Sequence, residues 1–306
     1  MPEQISAPGI YLDMTTAAYF GDPCPAPSLT QSIAKVLLDR SPLHAYGAHP
    51  RLGGEVDRHE DYVSAQAIGN AAHKLFLGRG KEIVVIEAPD FRTKEARATR
   101  DAVSAEGKVP ILAKHHGRAQ TMVKRAHEQL EALGLAHPVG DSEAVVAWEE
   151  DGIWLRSMID LLSPDRRTII DLKTTGMSCA PHSIGRMMND AGWDVQAAMH
   201  ERGLFATDAS GAGRRRHLFI AQENEEPYAL TVVQISEAVM TMGRKKLAVA
   251  MDIWRRCIEG DRWPGYPPEI VVPELPTWAE TSWLEREEVE FTNAVRHDIS
   301  QIIMAG

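Results

Sequence analysis

Apolar positions in the first part of the chain recur at the spacing of amphipathic helices. Residues 28–40, SLTQSIAKVLLDR, contain an apolar stripe, and Ser28 and Gln31 have the spacing of a capping box. A second stretch with a helical period, residues 62–77, is followed by Gly78, a residue that commonly ends helices. The pattern therefore predicts two helices, the first with Ser28 as its N-cap.

The middle of the chain changes to short apolar runs that are typical of strands. Runs rich in Val, Ile, Leu and Trp occur at 144–148, 153–162 and 168–174. Because turn residues separate them, they indicate antiparallel hairpins and a three-stranded meander. The remaining candidates are strands at 83–86, 217–222 and 228–235, and helices at 182–206 and 236–259. We therefore predict a mixed α/β (α+β) fold whose central mixed sheet contains the meander and is flanked by helices.

The composition excludes several classes of protein. The chain has 306 residues, and an apolar fraction of 44% is too high for a disordered protein. Its three cysteines are far apart, which argues against a disulfide framework and leaves too few thiols for an iron–sulfur or four-cysteine zinc site. No apolar run approaches the roughly 18 residues of a membrane span. We expect a cytoplasmic protein with no membrane partner.

Charge is segregated along the sequence. The formal net charge is −10, but residues 92–127 hold nine Lys/Arg against three Asp/Glu. Acidic residues are concentrated at 141–151, with five acids and no base, and at 274–290, with six Glu and one Arg. Because partners meet surface patches rather than an average, the net charge does not exclude a nucleic-acid partner.

Two carboxylates and a lysine are predicted to converge in the meander. Side chains alternate faces along a strand, so Asp171 and Lys173 point the same way, and a hairpin turn at 163–167 can bring Asp160 beside them. Carboxylates are the ligands that Mg²⁺ prefers, and a nearby ammonium can orient water or stabilise charge on phosphorus. The alternative is a solvated Asp–Lys pair with no functional role. An acid-x-Lys motif alone is weak evidence, because one also occurs at Glu106-Gly107-Lys108.

The acidic residues and lysine of the meander, together with three further segments in the same order along the chain, resemble the core of the PD-(D/E)XK nucleases. More narrowly they resemble the RecB-like branch and the RecE-type (exodeoxyribonuclease VIII-like) exonucleases of phages and prophages, over about residues 28–270. The segments that support the resemblance are Gly69–His73, Ser142-Glu143, Asp160, Asp171-Leu172-Lys173 and Gln196. The sequence departs from the family in one place, because His200 stands where these nucleases usually have a tyrosine.

The resemblance implies a role for each matched residue. His73, Asp160, Asp171 and the backbone carbonyl of Leu172 would bind Mg²⁺ or Mn²⁺, and Lys173 would orient the hydrolytic water. Gln196 would bind phosphate or hold the lysine, and Glu143 would belong to the same site. Arg156, on the strand of Asp160, is either a solvated charge or faces the scissile phosphate of DNA.

The resemblance also implies a domain plan and an activity. It predicts one nuclease domain over residues 1–272, with a core at about 60–235, and an acidic tail over 273–306 that contains proline and tryptophan. The activity would be resection of duplex DNA ends, 5′→3′, to leave single strands for recombination in a bacterial or phage-infected cell. Expected partners are a single-strand annealing protein and further copies of the chain in a ring. The alternatives are a non-catalytic DNA-binding or assembly protein and a structure-specific endonuclease of the same superfamily.

Overall fold

The computed structural model of the protein describes residues 4–53, 64–135, 139–208 and 215–304. In chain order its helices and strands are β1 (Gly9–Tyr11), α1 (Thr16–Phe20), β2 (Ser28–Leu29), α2 (Gln31–Asp39), α3 (Pro42–Ala48), α4 (Ser64–Leu77), β3 (Ile83–Ile86), α5 (Lys94–Ala105), β4 (Val109–Leu112), α6 (Ala113–Ala132), β5 (Asp141–Glu150), β6 (Ile153–Leu162), β7 (Thr168–Thr175), α7 (Pro181–Ala191), α8 (Trp193–Thr207), β8 (Arg216–Glu223), β9 (Leu230–Gln234), α9 (Glu237–Gly260) and α10 (Thr277–Met304).

A seven-stranded mixed sheet forms the centre of the fold. Its strand order is β1-β5-β6-β7-β8-β9, and the short β2 pairs with β6. The meander β5-β6-β7 is antiparallel as predicted, whereas β7 and β8 run parallel. Strands β3 and β4 form a separate parallel pair. The predicted mixed fold with a central meander flanked by helices is confirmed.

Helices cover both faces of the central sheet, so β6 and β7 are buried in its middle. On one face the main core includes Leu155 of β6, Phe219 of β8 and Trp254 of α9. On the other face Leu172 of β7 packs in a cluster with Leu130 of α6 and other apolar residues. Because both faces are covered, a charged side chain in the middle of β6 or β7 is shielded from water, and its partners must be protein groups or a bound ligand.

The predicted helix at 28–40 begins later than the capping-box spacing suggested. Ser28 belongs to β2, and its hydroxyl bonds to the carboxylate of Asp22 at 2.7 Å. The N-cap of α2 is instead Thr30, whose hydroxyl accepts from the backbone N–H of Ile33 at 3.3 Å. The prediction of Ser28 as the cap was wrong because a tertiary partner holds that hydroxyl.

One further segment differs from its predicted form. The helical stretch at 182–206 is two helices, α7 and α8, joined at Gly192, whose φ of 72° lies in the left-handed region that glycine readily adopts. The basic stretch at 92–127 contains the buried strand β4 between α5 and α6. The second predicted helix corresponds to α4, and residues 62 and 63 at its predicted start lie outside the described residues.

The chain divides into two units, Met1–Gly265 and Tyr266–Gly306. The second unit contains the 28-residue helix α10, which the sequence pattern did not predict in the tail. Several large apolar side chains of this helix are exposed, among them Trp278 and Trp283. Across the described residues, none of the helices combines the length and the hydropathy that a membrane crossing requires.

Candidate active site

Strands β6 and β7 bring Asp160 and Asp171 together. The two strands pair through Leu161 with Ile170 and Leu162 with Ile169, and the same register places Asp160 opposite Asp171. The backbone N–H of Leu172 donates to Asp160 Oδ2 at 2.9 Å. Both carboxylates are buried, and Asp171 has no exposed surface at all. The convergence predicted from strand alternation is therefore present in the structure.

Lys173 and Gln196 both reach one oxygen of Asp171. The Nζ atom of Lys173 lies 3.5 Å from Asp171 Oδ1, and Gln196 Nε2 donates to the same oxygen at 2.7 Å. The lysine ammonium also lies over the ring of Phe219, 5.6 Å from its centroid, and Phe219 is the registered neighbour of Asp171 in β8. Gln196 therefore holds the carboxylate, whereas the sequence had suggested that it would hold the lysine or a phosphate.

His73 completes the set from helix α4. Its Nε2 atom lies 3.1 Å from Asp160 Oδ1. Helix α4 can approach β7 closely because Gly69, one turn before His73, has no side chain. A Cβ atom at Gly69 would lie only 2.6 Å from the Oγ1 atom of Thr174. The glycine therefore sets the distance at which the histidine meets the carboxylate.

Glu143 lies beside this cluster in an unusual backbone conformation. Its φ of 52° is in the left-handed region, which non-glycine residues rarely adopt. The flanking pairs, Ser142 with Leu161 and Ala144 with Ile159, place it opposite Asp160. The carboxylate is buried and accepts from the hydroxyl of Thr16 at 3.3 Å. Strain of this kind is found most often at functional sites.

The pKa values of the two aspartates differ widely. Burial raises the pKa of Asp160, but His73, Lys173 and the Leu172 amide outweigh burial and bring it to about 2. For Asp171 burial dominates; the attraction of Lys173 only partly offsets it, and the charge of Asp160 adds to it, so the pKa rises to about 7. Burial lowers the pKa of His73, but Asp160 and then Glu143 raise it above its ordinary value. One carboxylate is thus firmly ionised, while its neighbour can take up a proton near neutrality.

Arg156 is placed away from this site. Its guanidinium donates to Asp22 Oδ1 at 2.7 Å and to the carbonyl of Tyr19 at 3.1 Å, and only 2% of its surface is exposed. The prediction that it contacts DNA is not supported by this position, because every contact described for it is with buried protein groups. The sequence pattern predicts the strand of Arg156 correctly, but it contains no signal for the partner Asp22, which lies 134 residues away along the chain.

The family of the chain can be stated from its match to a family model. Residues 41–271 match the model described as a PDDEXK-like domain of unknown function (DUF3799). This range is most of the chain. The protein belongs to this PDDEXK-like family. The matched range includes His73, Glu143, Asp160, Asp171, Lys173 and Gln196.

A solved structure supports the same fold. The chain is similar to a candidate exonuclease from Eubacterium rectale, with a TM-score of 0.56 and 12% sequence identity. The match covers 83% of this chain and 92% of the other chain. No curated protein sequence matches the chain. The PDDEXK-like family and the fold together support a nuclease.

The donor set of this PDDEXK-like site fits a hard divalent cation, which nucleases of the superfamily typically use. Asp171 Oδ2 is buried and has no hydrogen-bond partner among the residues that the structure describes, so it has a lone pair available for a ligand. His73 and Asp160 contribute an imidazole and a second carboxylate, a combination suited to Mn²⁺ as well as Mg²⁺. Among the described residues no three such side chains stand in a metal-binding arrangement, and His73 instead pairs directly with Asp160.

Two buried histidines behind Asp171 were not predicted as members of the site. His200 Nδ1 lies 3.5 Å from Asp171 Oδ2, and His217 Nε2 lies 3.4 Å from the same nitrogen. Burial lowers the pKa of His200 to about 3, and burial followed by His200 and Arg215 lowers that of His217. The only signal in the sequence was the departure from tyrosine at position 200.

Proposed function

We propose that the protein is a metal-dependent deoxyribonuclease that hydrolyses phosphodiester bonds from the ends of duplex DNA. The observation that supports this proposal is the convergence of Asp160, Asp171 and Lys173 in the middle of a buried sheet, with His73 and Gln196 as neighbours. Two carboxylates are costly to bury there, so their retention is best explained by a cationic ligand and a hydrolytic role.

The residues divide the chemistry between them. A divalent cation bound by His73, Asp160, Asp171 and the Leu172 carbonyl would polarise the phosphoryl group and lower the pKa of a coordinated water. Lys173 holds its ammonium beside Asp171, where it can orient the attacking water and stabilise negative charge that develops on the phosphate. Gln196 keeps Asp171 in place through its 2.7 Å hydrogen bond. Attack in line on phosphorus requires no covalent enzyme intermediate.

The substrate and direction follow from the resemblance to RecE-type nucleases. We propose resection of one strand in the 5′→3′ direction, which leaves a single strand for an annealing protein during recombination. The basic residues of α5 and α6 are available to neutralise phosphates, since Lys94 and Lys114 are among their exposed side chains. We further propose that the chain acts as a ring-shaped homo-oligomer, as the resemblance implies.

The test is release of nucleotides from linear duplex DNA with Mg²⁺ or Mn²⁺. We expect the purified protein to release them, EDTA to stop release, and Asp171→Ala or Lys173→Ala to reduce it by on the order of 10³-fold. Lys108→Ala is the matched control, because Lys108 follows the same acid-x-Lys spacing but its partners are Glu82 and Glu106 on the surface. Full activity of the Asp171 and Lys173 variants would exclude this site.

Covalently closed circular DNA separates the three candidate activities. An exonuclease leaves such a circle intact, an endonuclease linearises it, and a non-catalytic binding protein retains both forms of DNA without hydrolysis. Duplexes labelled at one 5′ or one 3′ end then give the direction, because 5′→3′ resection releases the 5′ label first. Prior release of the 3′ label would reverse the proposed direction without affecting the assignment of the catalytic residues.

A further inference from the structure

Helix α8 presents two side chains to Asp171, one turn apart. Gln196 donates to Oδ1 at 2.7 Å, and His200 places its Nδ1 atom 3.5 Å from Oδ2. Residues separated by four positions lie on the same face of a helix, so both contacts come from one stripe of α8. The two oxygens of the carboxylate are therefore approached separately, Oδ1 by an amide and Oδ2 by an imidazole.

His217 of β8 supports the ring of His200 from behind. The two imidazoles are stacked, with centroids 5.5 Å apart and an interplanar angle of 19°. His217 Nε2 lies 3.4 Å from the Nδ1 atom of His200. Its position is fixed by the parallel pairing of β7 and β8, in which His217 is the registered neighbour of Ile169. Strand pairing thus places His217 two residues before Phe219, the residue of β8 that pairs with Asp171.

Simple filling of the core does not account for this pair. Both histidines are almost completely buried, yet His217 Nδ1 has no hydrogen-bond partner among the described residues. Burying a polar atom without a partner is unfavourable, and two apolar side chains would fill the same space without that penalty. His200 Nδ1 lies between two groups, because its hydrogen-bond partner is His217 Nε2 at 3.4 Å and it also faces Asp171 Oδ2 at 3.5 Å.

We propose that His200 is a positioning residue for Asp171: when the site is filled, His200 Nδ1 donates to Oδ2, whose second lone pair stays available for the cation, while Gln196 holds Oδ1. The two contacts together fix the plane of the carboxylate. His217 keeps the ring of His200 in the orientation that directs Nδ1 at the oxygen. This inference rests on the proposed cation-dependent function. Contacts of this kind are often long in a ligand-free site and shorten when the site is filled.

The test compares variants that keep or remove a nitrogen at the Nδ1 position. The side-chain amide of Asn occupies nearly the place of Nδ1, whereas Phe keeps the planar ring and its stacking but has no nitrogen. Mn²⁺ affinity is measured by calorimetry without DNA, at neutral pH. We expect His200→Phe to raise the dissociation constant roughly 10- to 100-fold, as loss of a group that orients a metal ligand commonly does. His200→Asn should remain within about threefold of the unmodified protein.

The remaining variants make each outcome decisive. His200→Gln moves the amide to the Nε2 position and should behave as His200→Phe does. If His200→Phe does not fold, as judged by circular dichroism and its unfolding midpoint, His217→Phe replaces it, with an expected loss of roughly tenfold. Equal Mn²⁺ affinity of His200→Phe and the unmodified protein would overturn the inference, as would equal losses in the Asn and Phe variants.

A failure of the inference can be told apart from a failure of the proposed function. If the unmodified protein binds no Mn²⁺ and releases no nucleotides, the proposed function itself is wrong. If it does both, and His200→Phe retains full affinity and full activity, only the positioning role of His200 fails. Asp160→Ala serves as the reference for a lost ligand and should bind Mn²⁺ more weakly than any His200 variant.

Discussion

Strand β6 takes part in two buried charge clusters only four residues apart, and they differ in how completely their groups are paired. At Arg156, the guanidinium meets Asp22, whose Oδ1 also accepts from the Ser28 hydroxyl at 2.7 Å. The other oxygen of Asp22 accepts from the Ser28 backbone N–H at 3.0 Å and lies 3.3 Å from His49 Nε2. Next to Asp160, by contrast, Asp171 has one oxygen with no hydrogen-bond partner in the described part of the chain.

The difference distinguishes the cluster around Asp22 from the one that we propose to be catalytic. Burial raises the pKa of Asp22, but hydrogen bonds from His49 and Ser28 and the charge of Arg156 lower it below the ordinary value. Asp171 is equally buried, yet its pKa is raised. Burial alone therefore does not identify a catalytic carboxylate. The number of hydrogen-bond donors that reach each carboxylate oxygen is more informative, because a fully paired carboxylate has no lone pair left for a ligand.

The largest expected effect is the opposite response of the two clusters to the loss of a carboxylate charge. Asp171→Asn should reduce nucleotide release by on the order of 10³-fold, because it removes a ligand, while the free energy of unfolding stays the same or rises. Activity is measured on linear duplex DNA and stability by urea unfolding in EDTA. If Asp171→Asn is both inactive and strongly destabilised, the proposed distinction between the Asp171 cluster and the Asp22 cluster is wrong.

Asp22→Ala should show the reverse pattern. It leaves Arg156 buried without its carboxylate partner, which typically costs about 3–5 kcal/mol of unfolding free energy. Nucleotide release per folded molecule, measured well below the unfolding midpoint, should change by less than about threefold, since the partners of Arg156 are Tyr19, Asp22 and Ser28 and none of them belongs to the proposed catalytic set. Loss of activity in the folded variant would show that the two clusters are coupled along β6.

The pH dependence of stability should isolate the unpaired carboxylate. The folded-state pKa of Asp171, about 7, lies above the unfolded value near 3.8, so the folded protein binds a proton that the unfolded chain has lost. Its contribution to stability is therefore full below about pH 4 and is lost as the pH rises toward 7. The contribution of His200 to stability changes with pH in the opposite direction, because burial lowers its pKa to about 3 and the folded protein therefore disfavours its protonated form.

The measurement is accordingly a difference between two proteins. Urea unfolding in EDTA of the unmodified protein and of Asp171→Asn, compared at pH values from 4 to 8, cancels the histidine contribution. The stability of the unmodified protein relative to the variant should fall across this range. A constant difference would mean that Asp171 is ionised throughout and that other groups compensate for its burial.

The smallest effect concerns the approach of α4 to the site. Gly69→Ala introduces a Cβ atom 2.6 Å from Thr174 Oγ1, which should displace His73 and reduce nucleotide release roughly tenfold. Thr174→Ala removes the obstructing hydroxyl, so the double variant should recover part of the loss. The nucleotide-release rates of the two single variants and the double variant form a double-mutant cycle. For residues in contact, a coupling energy of about 0.5–3 kcal/mol is expected. Additive effects would exclude the contact as the cause.

The sequence was most informative where local pattern and register determine position. Strand alternation and one hairpin turn were enough to predict that Asp160, Asp171 and Lys173 converge, because each lies on β6 or β7. The resemblance added His73 and Gln196, which come from separate helices. The pairing of Arg156 with Asp22 and the left-handed backbone of Glu143 had no local signature. Both depend on segments far apart in sequence, which only the folded chain brings together.

Tryptophan positions give the two units of the chain different spectroscopic signatures. Of the seven tryptophans, four, including Trp148 and Trp254, are buried in the first unit and Trp263 is half-buried there, whereas Trp278 and Trp283 on α10 are 75% and 61% exposed. Iodide should therefore quench the emission of the α10 pair at concentrations that leave the buried group unaffected. Any burial of α10 in an assembly would then be detected as a loss of quenching, without a label and separately from assays of the proposed hydrolysis.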